Sequence, residues 1–526
     1  MTKKNQTTTT ENHKQSIEDH QPRATWREWL GLSVLTVLQL VLATDLTALF
    51  LAMPSIAADL QPGSTQMLWI LHIYGLIAGG LLITMGRLGD RIGRRRLLFI
   101  GSAAFAVFSV LAAFSVSAEM LIGARALLGV AGATLAPSTF SLLRNMFHHE
   151  GQRRFAIAVI TSAFSAGGAV GPLLGGVLLE AFWWGAIFLI NVPFLMLFLI
   201  TGRFLLPEYR DKSEHRIDWK SVTLSLGGVL SFIYGMQGIA LEENSSTIVY
   251  VMAIVIGTIL SAVFVRRQRR LADPLLDLKL FKNRLFSTSL AAIFFTLIGL
   301  SGVFYLFTQY LQWVQELSPL QAGIWTVPFV IANLAGVLVA PVLVRSIRQG
   351  AVIWVSLLLV GFSLMLIAIG ASSMNLPFLV MSISFAGLTQ GSAFALAIDF
   401  IISSAPPERA GSAAAMQEVS GEMGNAMGVA LFGTIGLFVY RSVLSDNISE
   451  EVPTHTADTA MESVAGAIPA SEELSSSMGM EMIDAAQHAF TQGLQVSAGI
   501  GGILISIMAI IVMVLLRRSH GGSNLL

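Results

Sequence analysis

Ionisable side chains lie within long apolar stretches of this sequence. Asp45, Arg125, Glu418 and Glu422 are each set among mainly apolar neighbours, and a charge at the centre of a lipid bilayer costs about 2.5–3.5 kcal/mol. Glu418 and Glu422 are four residues apart, so they lie on one face of a helix, where two neighbouring carboxylates do not easily ionise together. Because such acids exchange protons and attract cations, we predict a site for both.

Several ionisable residues also allow an interpretation without a functional role. Arg125 is near the start of its apolar stretch, from which its side chain could extend to the membrane surface. Glu418 could be hydrated at the mouth of its span, and Asp399 could serve structural pairing. His72 could titrate near neutral pH and pair with Asp45, or lie alone in an outer vestibule. Asp45 has no basic neighbour in its own helix, so we expect removal of its charge to leave the fold intact.

Membrane-spanning helices must carry these residues. The chain has 526 residues, of which 54% are hydrophobic and 12% are charged, whereas soluble proteins are about 25% charged. Apolar runs of roughly 20 residues, enough to cross a bilayer as a helix, recur along nearly the whole chain. We predict fourteen spans, at 29–52, 67–86, 97–117, 120–143, 155–178, 185–206, 221–241, 247–265, 286–308, 321–344, 350–371, 376–402, 411–440 and 488–516.

Charge is sorted between alternate loops. Lysine and arginine are concentrated at the two termini and in every second loop, while the opposite loops are mainly acidic. The positive-inside rule therefore places both termini in the cytoplasm and requires an even number of spans. Residues 1–28 are predicted to be a disordered cytoplasmic tail without a cleaved signal peptide, and 517–526 to be a second tail.

The spans group as six, two and six. We predict an all-α membrane protein with one six-helix bundle at 29–206, cytoplasmic linkers and two inserted helices at 207–284, and a second six-helix bundle at 285–516. An external loop at about 441–487 is acidic. We favour a solvated loop there over a membrane-dipping hairpin or a gating element.

Two segments are rich in glycine. The turn after the second span combines glycines, which let helix ends approach, with arginines and an aspartate that could cap a helix or pair across the bundles; its key residues are Gly86, Asp90, Arg91 and Gly93. Alone, this turn could also be a positive-inside stop signal.

The fifth span carries a face of small residues for close helix packing and a proline that bends the helix. These residues are Gly167, Gly171, Pro172, Gly175 and Gly176.

Aromatic residues follow one another along the ninth span. They could offer ring faces to a bound cation, although tyrosine and tryptophan near the end of a span are more often part of an interfacial belt. These residues are Phe304, Tyr305, Tyr310 and Trp313.

These motifs resemble those of the major facilitator superfamily. The turn at 86–96 is similar to its G-x-L-a-D-r-x-G-r-k signature, and Leu121-x-x-x-Arg125-x-x-x-Gly129 is similar to its fourth-helix motif, whose arginine is associated with proton coupling. The string in the fifth span resembles the antiporter motif, which marks exporters. The setting of Asp45 resembles the first-helix aspartate of the fourteen-span drug:proton antiporter branch.

The resemblance implies a function as well as a fold. It implies a major facilitator fold and a proton-coupled multidrug antiporter that exports small lipophilic cations, among them quaternary ammonium compounds, cationic dyes and biocides. Quaternary-ammonium exporters of this branch carry acids at places matching Glu418 and Glu422, and often an aspartate where this chain has His72. We expect a monomer in the bacterial cytoplasmic membrane that uses the proton as coupling ion, with no other cofactor, no metal and no nucleic acid.

Two other functions compete with this interpretation. An exporter of an endogenous lipid, siderophore or peptide could use the same acids, and a membrane sensor or scaffold would not transport at all. The chain has no cysteine, which excludes disulfides, thiolate metal sites and cysteine nucleophiles. It also lacks a P-loop, so ATP is not expected to be its energy source, and we do not expect an enzyme.

Overall fold

The computed structural model describes residues 23–208, 218–241, 247–271, 274–276, 278–371, 375–405, 410–449 and 452–518. In these ranges the regular structure is helical and no strand occurs. The predicted tails at 1–28 and 517–526 lie mostly outside them. The all-α class predicted from the sequence is confirmed.

The first half of the chain forms long helices with short connections. They are α1 (Trp26–Leu60), α2 (Ser64–Ile92), α3 (Arg94–Ala113), α4 (Ala118–Met146), α5 (Glu150–Ala181), α6 (Ala186–Leu189) and α7 (Asn191–Leu205). An inserted pair follows, consisting of α8 (Trp219–Leu241) and α9 (Thr247–Gln268).

The second half repeats the pattern and adds a short helical pair. After a 3₁₀ turn at Leu280–Lys282, the helices are α10 (Arg284–Trp313), α11 (Pro319–Leu343), α12 (Gln349–Gly370), α13 (Leu376–Ser403), α14 (Ala410–Asn447), α15 (Thr454–Glu462), α16 (Val464–Glu472) and α17 (Ser476–Arg518).

In the part of the chain that the structure describes, thirteen segments are long and apolar enough to cross a membrane, with α6 and α7 counted as one. The remaining long helix, α5, has an apolar stretch at Ala166–Ala181 and overlaps the predicted span at 155–178. The structure therefore has a long helix at each of the fourteen predicted positions.

The helices pack as two groups joined by an inserted pair. In the first group α1 packs on α5, and α4 packs on both α2 and α3; in the second, α11 packs on α13, α12 on α17, and α10 on α14. The groups meet where α2 contacts α14, α5 contacts α11 and α1 contacts α10. The pair α8–α9 lies at this seam, because α8 contacts both α2 and α14.

Hydrogen bonds fix the base of the inserted pair. Asp218 and Arg267 form an ion pair of 3.0 Å, and the Gln268 side-chain oxygen accepts a 2.7 Å bond from the backbone NH of Leu275. Burial alone raises the pKa of Asp218, but hydrogen bonds from Arg267 and Ser221 outweigh it and hold this pKa below its usual value. The ion pair therefore stays charged at neutral pH.

The segment at 441–487 differs from the predicted solvated loop. Helix α14 continues to Asn447, α17 starts at Ser476, and α15 and α16 lie between them. Their apolar faces enclose a small core that includes Tyr440, Val464 and Met482. The described part of this segment is helical, because its apolar residues recur at helical spacing and bury one another, although its composition is acidic. Many of its remaining side chains are exposed.

We call the side of the molecule that carries α15 and α16 the loop side, and the side on which α1 begins and α17 ends the terminal side. Successive long helices run alternately between these two sides.

Glycines of α5 let α1 approach to backbone contact. A β-carbon added at Gly167 would lie 2.5 Å from the carbonyl oxygen of Leu40, and one added at Gly171 would collide with the Thr47 hydroxyl. Gly175 packs on Ala48 in the same row. Small residues at four-residue spacing thus form the contact face, as the sequence predicts.

A methyl group at this contact face should weaken the fold. We expect Gly171→Ala to lower the free energy of unfolding by about 1–3 kcal/mol, the usual effect of overpacking. The matched control is Gly168→Ala, because no atom lies within 4 Å of a β-carbon there; helix propensity favours alanine over glycine by up to about 1 kcal/mol. Unfolding of both variants in detergent measures the difference, and equal stability of the two would contradict the packing described.

Candidate functional site

A buried ion pair lies at the centre of the first helix group. The Arg125 guanidinium of α4 donates to Asp45 Oδ2 of α1 at 3.0 Å, and the Asn191 amide of α7 donates to Asp45 Oδ1 at 2.7 Å. The Asp45 and Arg125 side chains are both 1% exposed. Both carboxylate oxygens have charged or amide donors, which compensates for the removal of the charge from water.

Helix α2 completes the surroundings of Arg125. The guanidinium also donates to the Ile70 carbonyl oxygen at 3.3 Å and lies 4.8 Å from the centre of the Tyr74 ring. Gly129 makes this contact possible, because a β-carbon there would lie 2.7 Å from the Tyr74 carbonyl oxygen. Arg125 therefore does not extend to the membrane surface, and the glycine one turn after it admits α2.

His72 has a different partner from the one considered in the sequence analysis. Its Nε2 lies 3.0 Å from the Gln237 side-chain nitrogen of α8, and the donor depends on the histidine tautomer and on the orientation of the amide. His72 Nδ1 and Gln237 Oε1 are buried without a hydrogen-bond partner in the described structure. His72 does not pair with Asp45, whose carboxylate accepts hydrogen bonds from Arg125 and Asn191 instead.

Glu418 and Glu422 lie one turn apart on α14. Both side chains are half-buried, and within the described ranges neither carboxylate has a hydrogen bond or an ion pair. Glu422 lies against α2, since a β-carbon added at Gly79 would be 3.2 Å from the Glu422 β-carbon. Two acids without partners thus lie at the seam between the helix groups, unlike Asp45.

The turn between α2 and α3 forms local bonds. Asp90 accepts a 2.8 Å hydrogen bond from Arg94 four residues later, so pairing of Asp90 across the bundles is not what the structure shows. Gly93 has φ +110° and faces Glu208, which also accepts a bond from the Arg95 backbone NH at 3.2 Å. Only glycine takes this backbone conformation without strain. Gly86 and the exposed Arg91 flank the turn.

The aromatic residues of α10 point to different neighbours. Phe304 stacks on Phe329 with ring centres 4.7 Å apart, and the Tyr310 hydroxyl donates to the Ala371 carbonyl oxygen at 3.3 Å. Tyr305 and Trp313 line a small cavity of about 50 Å³. The four residues do not converge on one aromatic cavity, because successive residues of a helix face different directions.

Hydrogen bonds join the two helix groups on the loop side. The Gln309 amide of α10 donates to the Phe50 carbonyl oxygen of α1 at 2.7 Å, and Ser318 donates to Glu180 at 2.7 Å. Backbones also meet there, since a β-carbon at Gly176 would lie 2.6 Å from the Leu320 Cα. The helix groups are therefore closed against each other on the loop side.

A second tie on the loop side runs through the short helical pair. Ser64, at the start of α2, donates to the carbonyl oxygen of Glu462 at 2.5 Å, and Arg441 donates to the Ser64 hydroxyl at 2.8 Å. Helices α15 and α16, which are covalently linked to the second helix group, are thereby also bonded to the first group.

The chemistry available in the described residues is proton and cation binding. No group of three or more His, Cys, Asp or Glu residues among them is placed to hold a metal ion. Asp399 accepts a 2.9 Å bond from Gln349 near the end of its helix, in agreement with a structural role. What remains is a paired acid at Asp45 and two unpaired acids on α14.

Three residues of the site were not predicted from the sequence: Asn191, Tyr74 and Gln237. A polar residue in an apolar run was the available signal for Asn191 and Gln237, but their partners lie 146 and 165 residues away in the chain. Tyr74 gave no signal of this kind, because tyrosine is common in membrane helices.

Comparisons with known proteins agree with this arrangement. The profile of the Major Facilitator Superfamily matches residues 35–429. The multidrug efflux pump LfrA of Mycolicibacterium smegmatis is 38% identical over 94% of this chain and 98% of its own length. The methyl viologen resistance protein SmvA of Salmonella typhimurium is 30% identical over 92% of this chain and 97% of its own length.

A solved structure has the same fold. It is a bacterial homologue of the human lysosomal transporter Spinster in an inward-facing, unoccupied conformation, with a TM-score of 0.63, 14% identity, and coverage of 95% of this chain and 99% of that one. At this level of identity the likeness concerns the fold alone.

Removal of the Asp45 charge should destabilise the protein, contrary to the expectation from sequence. Asp45→Asn leaves Arg125 buried without a counter-ion, and breaking a buried ion pair costs about 3–5 kcal/mol. We expect the double variant Asp45→Asn/Arg125→Gln to recover much of this loss, because it removes both charges. Unfolding in detergent measures the effect, with Asp399→Asn as the exposed control; wild-type stability of Asp45→Asn would contradict the pairing.

Proposed function

The chain belongs to the major facilitator superfamily, and we propose that this multi-pass membrane transporter is a proton-coupled multidrug antiporter that exports small lipophilic cations. Quaternary ammonium compounds, cationic dyes and biocides are the proposed substrates. The proposed setting is the bacterial cytoplasmic membrane with both termini in the cytoplasm, where the terminal side carries the basic loops.

The unpaired acids of α14 carry this proposal. Glu418 and Glu422 lie half-buried at the seam between two helix groups, with no partner among the described residues. A carboxylate at this depth gains free energy by taking up a proton or by binding a cation. A substrate that is both lipophilic and positively charged satisfies the charge of the acids and the apolar surroundings at once.

Asp45 supports the proposal as a second proton site. Its carboxylate holds Arg125 and Asn191, and one proton on that carboxylate would remove the ion pair and release the guanidinium. A change of this size at the junction of α1, α4 and α7 alters how the helices of the first group are held. We assign one proton to Asp45, and both substrate binding and a further proton to Glu418 and Glu422.

The loop-side closure fits an export cycle. The bonds from Gln309 to Phe50 and from Ser318 to Glu180 hold the helix groups together on that side. In alternating access, rocking of one bundle against the other exposes a midplane site to each side in turn. The proposed state is therefore one in which a substrate enters from the terminal side.

The names of the relatives support the substrate class. LfrA is a multidrug efflux pump, and SmvA confers resistance to methyl viologen, a dication with two quaternary nitrogens. Two acids on one face of α14 would suit either a monovalent or a divalent cation. At the position where quaternary-ammonium exporters often have an aspartate, this chain has His72, which contacts Gln237. This position therefore offers no carboxylate to a cation.

Two simple measurements distinguish the proposed function from its alternatives. An exporter of an endogenous lipid, siderophore or peptide would not remove dyes from cells, and a sensor or scaffold would release no protons when a substrate is added. Ethidium efflux by cells and proton release by the purified protein therefore separate the three functions.

The energy source can be tested in everted membrane vesicles. We expect vesicles acidified inside to accumulate ethidium, because outward proton flow through an antiporter drives the dye inward. A protonophore should stop accumulation, and vanadate should not. Vesicles from cells without the protein are the control, and accumulation that needs ATP would exclude antiport.

The last transport prediction concerns charge movement. Exchange of one monovalent cation for two protons moves net charge, and the membrane potential then contributes about 2.3 kcal/mol per charge per 100 mV. A coupled pair of carboxylates binds protons in two steps, so Glu418 and Glu422 can supply a proton beyond the one assigned to Asp45. We expect wild-type transport to be electrogenic, and Glu422→Gln to be electroneutral or inactive.

Proteoliposomes with a potential imposed by valinomycin test this prediction. Glu481→Gln, which removes an exposed acid near the start of α17, is the matched control and should keep the wild-type response. If Glu422→Gln transports at the normal rate with a full response to the potential, Glu422 lies outside the coupling path.

A further inference from the structure

An apolar cavity lies between the inserted pair and the second helix group. Its volume is about 280 Å³, and its walls come from α8, α10, α14 and the linker before α10. Lining side chains include Val229, Leu276, Phe281, Phe294, Met416 and Met427. Ser420 is the polar lining residue, and its hydroxyl donates to the Leu290 carbonyl oxygen at 3.4 Å.

The cavity is separate from the acids of α14. The α14 lining residues Met416, Ser420, Met423 and Met427 recur at three- and four-residue spacing, which places them on one face of the helix. Glu418 and Glu422 project from a different face. The cavity is also below the roughly 300–1,000 Å³ of pockets for drug-sized ligands.

The linker that contributes Leu276 and Phe281 to the cavity wall belongs to a basic stretch of the chain. The stretch 266–284 contains two acids, Asp273 and Asp277, and seven basic residues: Arg266, Arg267, Arg269, Arg270, Lys279, Lys282 and Arg284. Of these, Arg267 is neutralised by Asp218.

Two of these basic residues are next to the lining. Lys282 follows the lining residue Phe281 directly, and Arg284 is the first residue of α10, whose Leu290 and Phe294 line the cavity farther along. Both side chains are exposed. Two exposed basic residues thus adjoin the apolar lining along the chain, and we call Lys282 and Arg284 the basic mouth.

We propose that this cavity binds one acyl chain of an anionic phospholipid, with the lipid phosphate held by Lys282 and Arg284. The lining runs from Met416 to Met427 of α14, roughly 16 Å at 1.5 Å per residue, which suits an extended chain. The basic mouth attracts a phosphate and repels the lipophilic cations proposed as substrates. The bound lipid joins the inserted pair to the second helix group.

Lipid titration of the purified, delipidated protein tests this site. Native mass spectrometry compares phosphatidylglycerol with phosphatidylethanolamine of the same acyl chains. We expect the wild type to bind phosphatidylglycerol about tenfold more tightly, and Lys282→Gln/Arg284→Gln to lose that preference, because its affinity for phosphatidylglycerol falls further than its affinity for phosphatidylethanolamine. Arg345→Gln/Arg348→Gln removes two exposed charges from the connection between α11 and α12 and should leave the preference unchanged.

A second variant tests the acyl cavity. Val229→Trp fills it from α8 and should weaken binding of both lipids several-fold, whereas Leu338→Trp, on an exposed face of α11, should not. If Val229→Trp does not fold, the charge variants decide. Equal wild-type affinity for the two lipids, equal losses in the two double variants, or displacement of phosphatidylglycerol by ethidium or by glycerol phosphate alone would overturn the proposal.

Discussion

The ion pair between Asp45 and Arg125 constrains the whole first helix group. No water is available inside a bilayer to stabilise either charge, so each depends on the other and on the Asn191 amide. The three residues belong to α1, α4 and α7. These helices must therefore keep one relative arrangement as long as Asp45 is ionised, and a single proton changes that requirement.

Close backbone packing makes this polar centre possible. Gly129 brings α2 against α4 at Tyr74, and Gly167 and Gly171 bring α5 against α1. Apolar attraction does not hold helices together in lipid, because lipid tails are as apolar as leucine. Small residues and a few polar bonds therefore determine which helices are neighbours, whereas the larger apolar side chains mainly fill the space between them.

The two acids of α14, unlike Asp45, are buried in part without a partner in the described structure. Glu418 and Glu422 have no counter-ion among the described residues, although they lie on a helix that packs on α2, α10 and α17. A protein that ties down one buried acid and leaves two others unpaired separates two tasks in space. In the proposed cycle, Asp45 takes up a proton and thereby changes how the helices around it are held, and Glu418 and Glu422 bind the cation that enters the seam.

The sequence predicted the parts of the structure that depend on local pattern. Spans follow from hydropathy, and the packing face at Gly167 and Gly171 follows from four-residue spacing. Partners did not follow: Asn191 for Asp45 and Gln237 for His72 come from helices distant in the chain. The helical pair within 441–487 did not follow either, because the acidic composition hides apolar residues that are buried only when α15 and α16 fold against α14 and α17.

The hydrogen bonds of Ser64 affect how fast the helix groups can separate on the loop side. Ser64 bonds to Glu462 and Arg441, so separation of the helix groups on the loop side requires these bonds to break together with those of Gln309 and Ser318. Each such bond contributes about 0.5–1.5 kcal/mol net, and hydrogen bonds weaken steeply once their geometry is lost. In the proposed cycle these bonds break together when the loop side opens, so the waiting time before opening is a lower limit on the turnover time.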